Sequence, residues 1–225
     1  MTHKLLAEFI GTALLLAAVV GSGVMADNLS EDVGLVLFQN AFATAGALTA
    51  LILALGAISG AHFNPAVTVS ELVLGGIERR LVLPYIAVQI LGGAAGVMLA
   101  NLMFEIPAVD ISTKERIGFH LWLAEAIATF GLLIVIHGTV RSGNTKAVAV
   151  AVGTYIAGAY YFTSSTSFAN PAVTIARTLS NTFAGISPSS VGPFIVAQAV
   201  GTLAAIAAIK TMTPAFEETQ EGDST

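Results

Sequence analysis

Ser59-Gly60-Ala61-His62-Phe63-Asn64-Pro65-Ala66-Val67-Thr68 carries the triplet Asn64-Pro65-Ala66, which returns as Asn170-Pro171-Ala172. Each copy opens a short apolar stretch in a very hydrophobic chain. The flanks repeat in the same order: Ala7-Glu8 and Thr12 answer Ala124-Glu125 and Thr129, and Gln89 with Gly92 answers Gln198 with Gly201. One coincidence means little, but an ordered set points to an internal repeat. We place repeat 1 at about 4–104 and repeat 2 at about 119–212, within a single domain over 1–212.

The chain has 225 residues, of which 55% are hydrophobic and 10% charged, with a mean hydropathy of +0.83. Soluble domains carry about 25% charged residues, so lipid is the expected solvent for most of this surface. A helical span needs roughly 20 apolar residues. Spans are expected near Leu5–Met25, Leu35–Ile58, Leu81–Phe104, Phe119–His137, Ala147–Phe162 and Val191–Ile209. The first carries Glu8 and takes part in the repeat, so it reads as a retained helix rather than a leader. Residues 213–225 hold Glu217, Glu218, Glu221 and Asp223 and read as an acidic, disordered cytoplasmic tail. With both termini inside, Lys4, Arg79, Arg80, Arg141, Lys146 and Lys210 face the cytoplasm against Lys114, Arg116 and Arg177 outside, which is the orientation favoured by the positive-inside rule.

Pro65–Leu74 and Pro171–Phe183 are too short to cross alone. Asn is a preferred N-cap and Pro suits the first helical position, so each triplet reads as the start of a half-helix. One enters from each face, and their N-termini meet near the midplane. Irregular backbone at that depth must be buried in protein or line a cavity, and such pairs mark permeation sites. A capping Asn spends its oxygen on backbone N–H and leaves its amide N–H free to donate. Two helix N-termini add positive partial charge. The meeting point suits a neutral oxygen-bearing solute and repels cations.

These motifs, with Ala7-Glu8-Phe9-Ile10-Gly11-Thr12, resemble the aquaporin/major intrinsic protein family from Leu5 to about Met212. The resemblance implies an all-α membrane protein: six transmembrane helices plus two re-entrant half-helices in an inverted repeat. One pore per subunit, a homotetramer and a bacterial inner (plasma) membrane location are implied with it. It places the central constriction at Asn64, Pro65, Ala66, Asn170, Pro171 and Ala172. Glu8 and Glu125 become supports for the re-entrant loops. Where the family typically has Arg after the second triplet, this chain has Val173. Ungapped counting puts the other outer-filter positions at Thr44, Gly158 and Ser167, with Tyr160 or Tyr161 as substitutes if the loop carries an insertion. This small, uncharged set implies passage of solutes larger than water. Arg177, one turn beyond Val173, reads either as a pore-mouth cation or as a snorkelling interfacial residue, and His62 as lining the inner vestibule. His120 and His137 read as interfacial.

The expected function is a passive channel for small neutral solutes: water with glycerol, or neutral metalloid acids such as arsenous acid. The alternatives are a water-selective channel with an unusual filter and an ion-coupled secondary transporter. The chain has no cysteine and no visible metal-ligand, nucleotide or catalytic cluster. We therefore expect no enzyme, cofactor, metal or nucleic-acid role; the partners are small solutes and the lipid bilayer.

Overall fold

The computed structural model describes residues 1–212; the expected tail at 213–225 lies outside them. Among the described residues are eight α-helices: α1 (Thr2–Leu29), α2 (Val33–Ser59), α3 (Pro65–Leu74), α4 (Arg79–Met103), α5 (Phe119–Arg141), α6 (Val148–Phe162), α7 (Pro171–Ala176) and α8 (Pro188–Met212). Five are long and apolar enough to span a membrane. The sixth, α6, has 15 residues and is extended at its start by a 3-10 turn, Thr145–Ala147. Large apolar side chains such as Leu14, Phe42, Leu83, Leu99 and Leu203 are exposed around the bundle. That surface is stable only against lipid or another apolar partner.

Helix α1 packs on α2 and α4, as α5 packs on α6 and α8. Two of these crossings depend on glycine. A Cβ at Gly96 would fall on the carbonyl oxygen of Ala13, and one at Gly201 on that of Ala126. Small residues allow helix backbones to approach closely in lipid. Gly96→Val is expected to force α1 and α4 apart at a cost of about 3 kcal/mol, read as a lower melting temperature in detergent.

The half-helices start as their sequences dictate. Asn64 Oδ1 accepts the Ala66 N–H at 2.8 Å. Asn170 Oδ1 accepts those of Ala172 and Val173, at 2.9 and 3.3 Å. Pro occupies the first helical position in both. Helix α3 runs to Leu74 and stops at Gly75 in the left-handed region. The second half-helix is shorter than the expected Pro171–Phe183. It becomes a 3-10 turn at Arg177–Leu179, because side chains intercept its end: Asn101 Nδ2 donates to Leu179 O at 2.9 Å, and Arg177 Nε donates to Ala184 O.

The 104–118 connection between α4 and α5 straps this turn down. Asp110 N–H donates to Leu179 O at 3.0 Å and Ser112 N–H to Thr178 O at 2.9 Å; Ser187 N–H donates back to Lys114 O at 2.7 Å. The strap carries Lys114 and Arg116 to the end of the bundle where Arg177 lies.

Candidate functional site: a lumen through the bundle

A cavity of ≈150 Å³ runs between the helices, from Val140 and Glu71 at the end expected from the sequence to be the inner one to Arg177 and Tyr160 at the expected outer end. That is room for a file of roughly ten waters at about 10–15 Å³ each. Its middle is the meeting of the two triplets. Asn64 Nδ2 donates to Ala169 O and Asn170 Nδ2 to Phe63 O, both at 2.8 Å. Each amide therefore spends one N–H on the opposite loop. The amide is not wholly free, as the sequence suggested; one of its two hydrogens remains for a solute. Both Asn residues line the cavity.

Two buried carboxylates hold the loops. Glu8 accepts the N–H groups of His62 at 3.0 Å and Phe63 at 2.7 Å, and the Ser59 hydroxyl at 2.7 Å. Glu125 accepts those of Phe168 and Ala169, both at 2.9 Å. Each also receives a glutamine: Gln89 Nε2 donates to Glu8 at 2.8 Å and to Thr68 Oγ1 at 3.0 Å. Gln198 Nε2 does the same to Glu125 at 2.7 Å and Thr174 Oγ1 at 2.9 Å. A charge in a span is costly unless paired or hydrogen-bonded, and bonds of this kind to a carboxylate are the strong ones. The tethered backbone bends where they pull: Ala61, Phe63, Ser167 and Ala169 all have positive φ.

At the outer end, Thr44, Ser167, Val173 and Arg177 line the cavity. Gly158 does not join them. The lumen-facing stripe of α6 is Val148, Val152, Ile156 and Tyr160, spaced by four. Gly158 lies two residues from both Ile156 and Tyr160, so it falls on the opposite, exposed face. Ungapped counting landed two residues early. Tyr160 lines the cavity there instead, its hydroxyl donating to Thr44 Oγ1 at 3.1 Å. The ring is pinned between α2 and α6, so the outer section has an aromatic wall rather than only small groups. Ser167 Oγ is buried with no hydrogen-bond partner in the protein.

Arg177 is 2% exposed and is not a snorkelling residue. Its guanidinium stacks over the Phe168 ring at 3.5 Å, and that of Arg116 lies 4.9 Å from the same ring. Arg116 also donates to Gly185 O at 3.0 Å and Ser165 O at 3.3 Å. Sequence reasoning used Arg116 only for orientation; its place depends on the strap. Nearby, burial and the charges of Arg116 and Arg177 pull the Lys114 ammonium down to about 8.

On the inner side, His62 Nδ1 contacts Thr68 Oγ1 at 3.1 Å, and its ring borders the cavity. His137 is not interfacial but buried, since α5 continues past it to Arg141.

The Major intrinsic protein family model matches residues 1–146 and 112–224, two overlapping stretches that together take in nearly all of the chain. The aquaglyceroporin AqpS of Rhizobium meliloti (strain 1021) is 46% identical over 210 residues, covering 93% of this chain and 90% of its own. The aquaporin NIP3-1 of Oryza sativa subsp. japonica is 32% identical over 167 residues, 71% of this chain and 51% of its own. Among solved structures, the aquaglyceroporin from Plasmodium falciparum superposes with a TM-score of 0.74 at 22% identity, covering 94% of this chain and 96% of that one; it is a likeness of fold. With its paired half-helices, membrane-spanning helices and the cavity between them, the chain is an integral membrane protein that belongs to the major intrinsic protein family.

Proposed function

We propose that this protein is a passive channel that conducts water and larger neutral hydroxylated solutes, glycerol first among them, down their gradients. The observation that carries this reading is the outer section of the lumen. Val173 stands where an arginine would fill the opening, with the Tyr160 ring, Thr44 and Ser167 around it. One wall is apolar, while the remaining Asn64 and Asn170 N–H groups offer hydrogen bonds. A polyol has the same two-sided chemistry: carbon–hydrogen on one edge, hydroxyls on the other. Neutral metalloid acids such as arsenous acid share its size, neutrality and hydroxyl donors. The naming of AqpS as an aquaglyceroporin supports the reading.

The family and fold are those of channels, and the lumen groups serve recognition rather than an enzymatic step. We read residues 1–212 as one channel domain of two inverted halves, with both termini cytoplasmic in a bacterial plasma membrane. We also read the working form as a homotetramer. In support, only 11% of an 18-residue apolar stretch of α2 is buried within the subunit, leaving a long apolar face for a second copy.

Stopped-flow light scattering on proteoliposomes tests the main reading. Fast shrinkage in an impermeant osmolyte and fast reswelling in glycerol are expected; shrinkage without reswelling would mean a glycerol-excluding water pore. Cation exclusion is assigned to the midplane. Asn170→Asp puts a carboxylate beside two helix N-termini and removes the donor to Phe63 O. Measurable sodium or proton leak is expected in vesicles bearing the folded variant, and tightness equal to wild type would remove Asn170 from the mechanism.

A further inference from the structure

The inner half of the lumen is walled by Val67, Leu132, Ile136, Val148 and Val152, yet Glu71 lines it too. A carboxyl group at such a place is expensive, and its partner is the first thing to seek. The partner is His137, reaching across from α5: its Nδ1 lies 3.7 Å from Glu71 Oε1. The other ring nitrogen, Nε2, lies 3.0 Å from Ser70 Oγ.

Counting hydrogens decides what this arrangement holds. A serine hydroxyl has one hydrogen, and Ser70 donates it to Val67 O at 2.9 Å. While Ser70 keeps that bond its oxygen accepts, and His137 Nε2 carries the proton between them. In a neutral imidazole Nδ1 is then a bare lone pair, facing a carboxylate oxygen. At 3.7 Å the contact is beyond hydrogen-bond length, so it is attractive only with opposite charges, or with a neutral carboxyl group. In that tautomer an attractive contact needs one proton more on the pair than a carboxylate and a neutral imidazole carry.

We infer that Glu71 is a specificity-determining residue of the inner lumen and that His137 positions it through this shared proton. With the proton bound, the pair is neutral and the carboxyl rests against the wall. When the proton leaves, the lone pair repels the carboxylate, which turns into the lumen and draws water around itself. A solute of polyol size must then pass a hydrated anion in an otherwise apolar tube, whereas water is the medium of that hydration. Solute flux therefore falls as pH rises, and water flux falls less.

The groups that act on this pair are few. Arg141, one turn along α5, acts on His137, and His137 and Lys4 of α1 act on His62 from the re-entrant loop. Arg79 and Arg80 of α4, Lys146 beside α6 and Lys210 of α8 are exposed. No second carboxyl group lines this cavity among the described residues, and His62 is the other titratable side chain of its inner half.

The inference rests on the solute-channel reading, and the experiment separates the two. Glycerol and water permeabilities are measured in proteoliposomes between about pH 5 and 8, the range in which a histidine-linked proton moves, for wild type, Glu71→Gln and His137→Phe. Glutamine keeps the shape of a neutral Glu71, so that variant should conduct glycerol at the wild-type acid level at every pH. His137→Phe removes the proton site and should show the wild-type alkaline level throughout; if it does not assemble, Glu71→Gln decides alone. Wild-type glycerol flux should fall roughly threefold or more across the range, with a smaller fall for water. A Glu71→Gln profile that still follows wild type, a flat wild-type profile, or parallel changes in glycerol and water would overturn the inference. If wild type conducts water but no glycerol at any pH, the solute reading fails instead. The pair is then judged on water alone: a pH dependence abolished by Glu71→Gln supports it, and an unchanged one rejects it.

Discussion

Val173→Arg should lower glycerol permeability by roughly tenfold or more while water permeability falls by only a few-fold, since solute selection in such pores follows diameter and lining groups. Position 173 lies on the lumen side of α7 and lines the same cavity as the pinned Tyr160 ring. A guanidinium there occupies the space that a polyol's carbon skeleton needs. It also stands one turn from Arg177, which already lies over Phe168; like charges at that spacing repel, so the new side chain is pushed into the opening. Water, smaller and able to solvate both cations, still passes. Paired stopped-flow traces check the split, and equal losses of the two fluxes would count against a filter role for Val173.

Glu125→Ala is expected to abolish both transport and stable assembly. The carboxylate accepts from Phe168 N–H, Ala169 N–H and Gln198 Nε2, and its side chain is wholly buried. Removing it leaves those donors without a partner in a place water does not reach, at about 1–3 kcal/mol each. The sum is on the order of 5 kcal/mol, comparable with the whole net stability of a typical domain. The second half-helix would lose the tether that aims Asn170 at Phe63 O. A melting curve in detergent and the yield of vesicle-inserted protein measure the loss. Glu125→Gln, which keeps one acceptor oxygen, should be intermediate.

What the sequence discloses tracks how local the governing physics is. The half-helix starts were readable because an Asn cap and a Pro at the first helical position act within three residues. Val173 was readable because it abuts the motif. Gly158 was not, because the register of α6 depends on the loop before Asn170, and an error of two residues turns a helical position to the opposite face. The early end of α7 was hidden too: Asn101 and the 104–118 strap set it from far away in the chain. The same holds for Arg116, whose site exists only once the strap is docked. His137 was misread because its partners, Ser70 and Glu71, belong to the other half of the molecule.

The reciprocal clamp at the midplane has a consequence for biosynthesis. Asn64 finds its acceptor 105 residues further on, and Phe63 O waits for a donor 107 residues away. While a ribosome is still making the second half, the first re-entrant loop has its Glu8 tether but nothing opposite it. The water path therefore cannot acquire its final shape until α7 has folded back into the bundle, so a half-made chain has no finished conduit through which the membrane could leak.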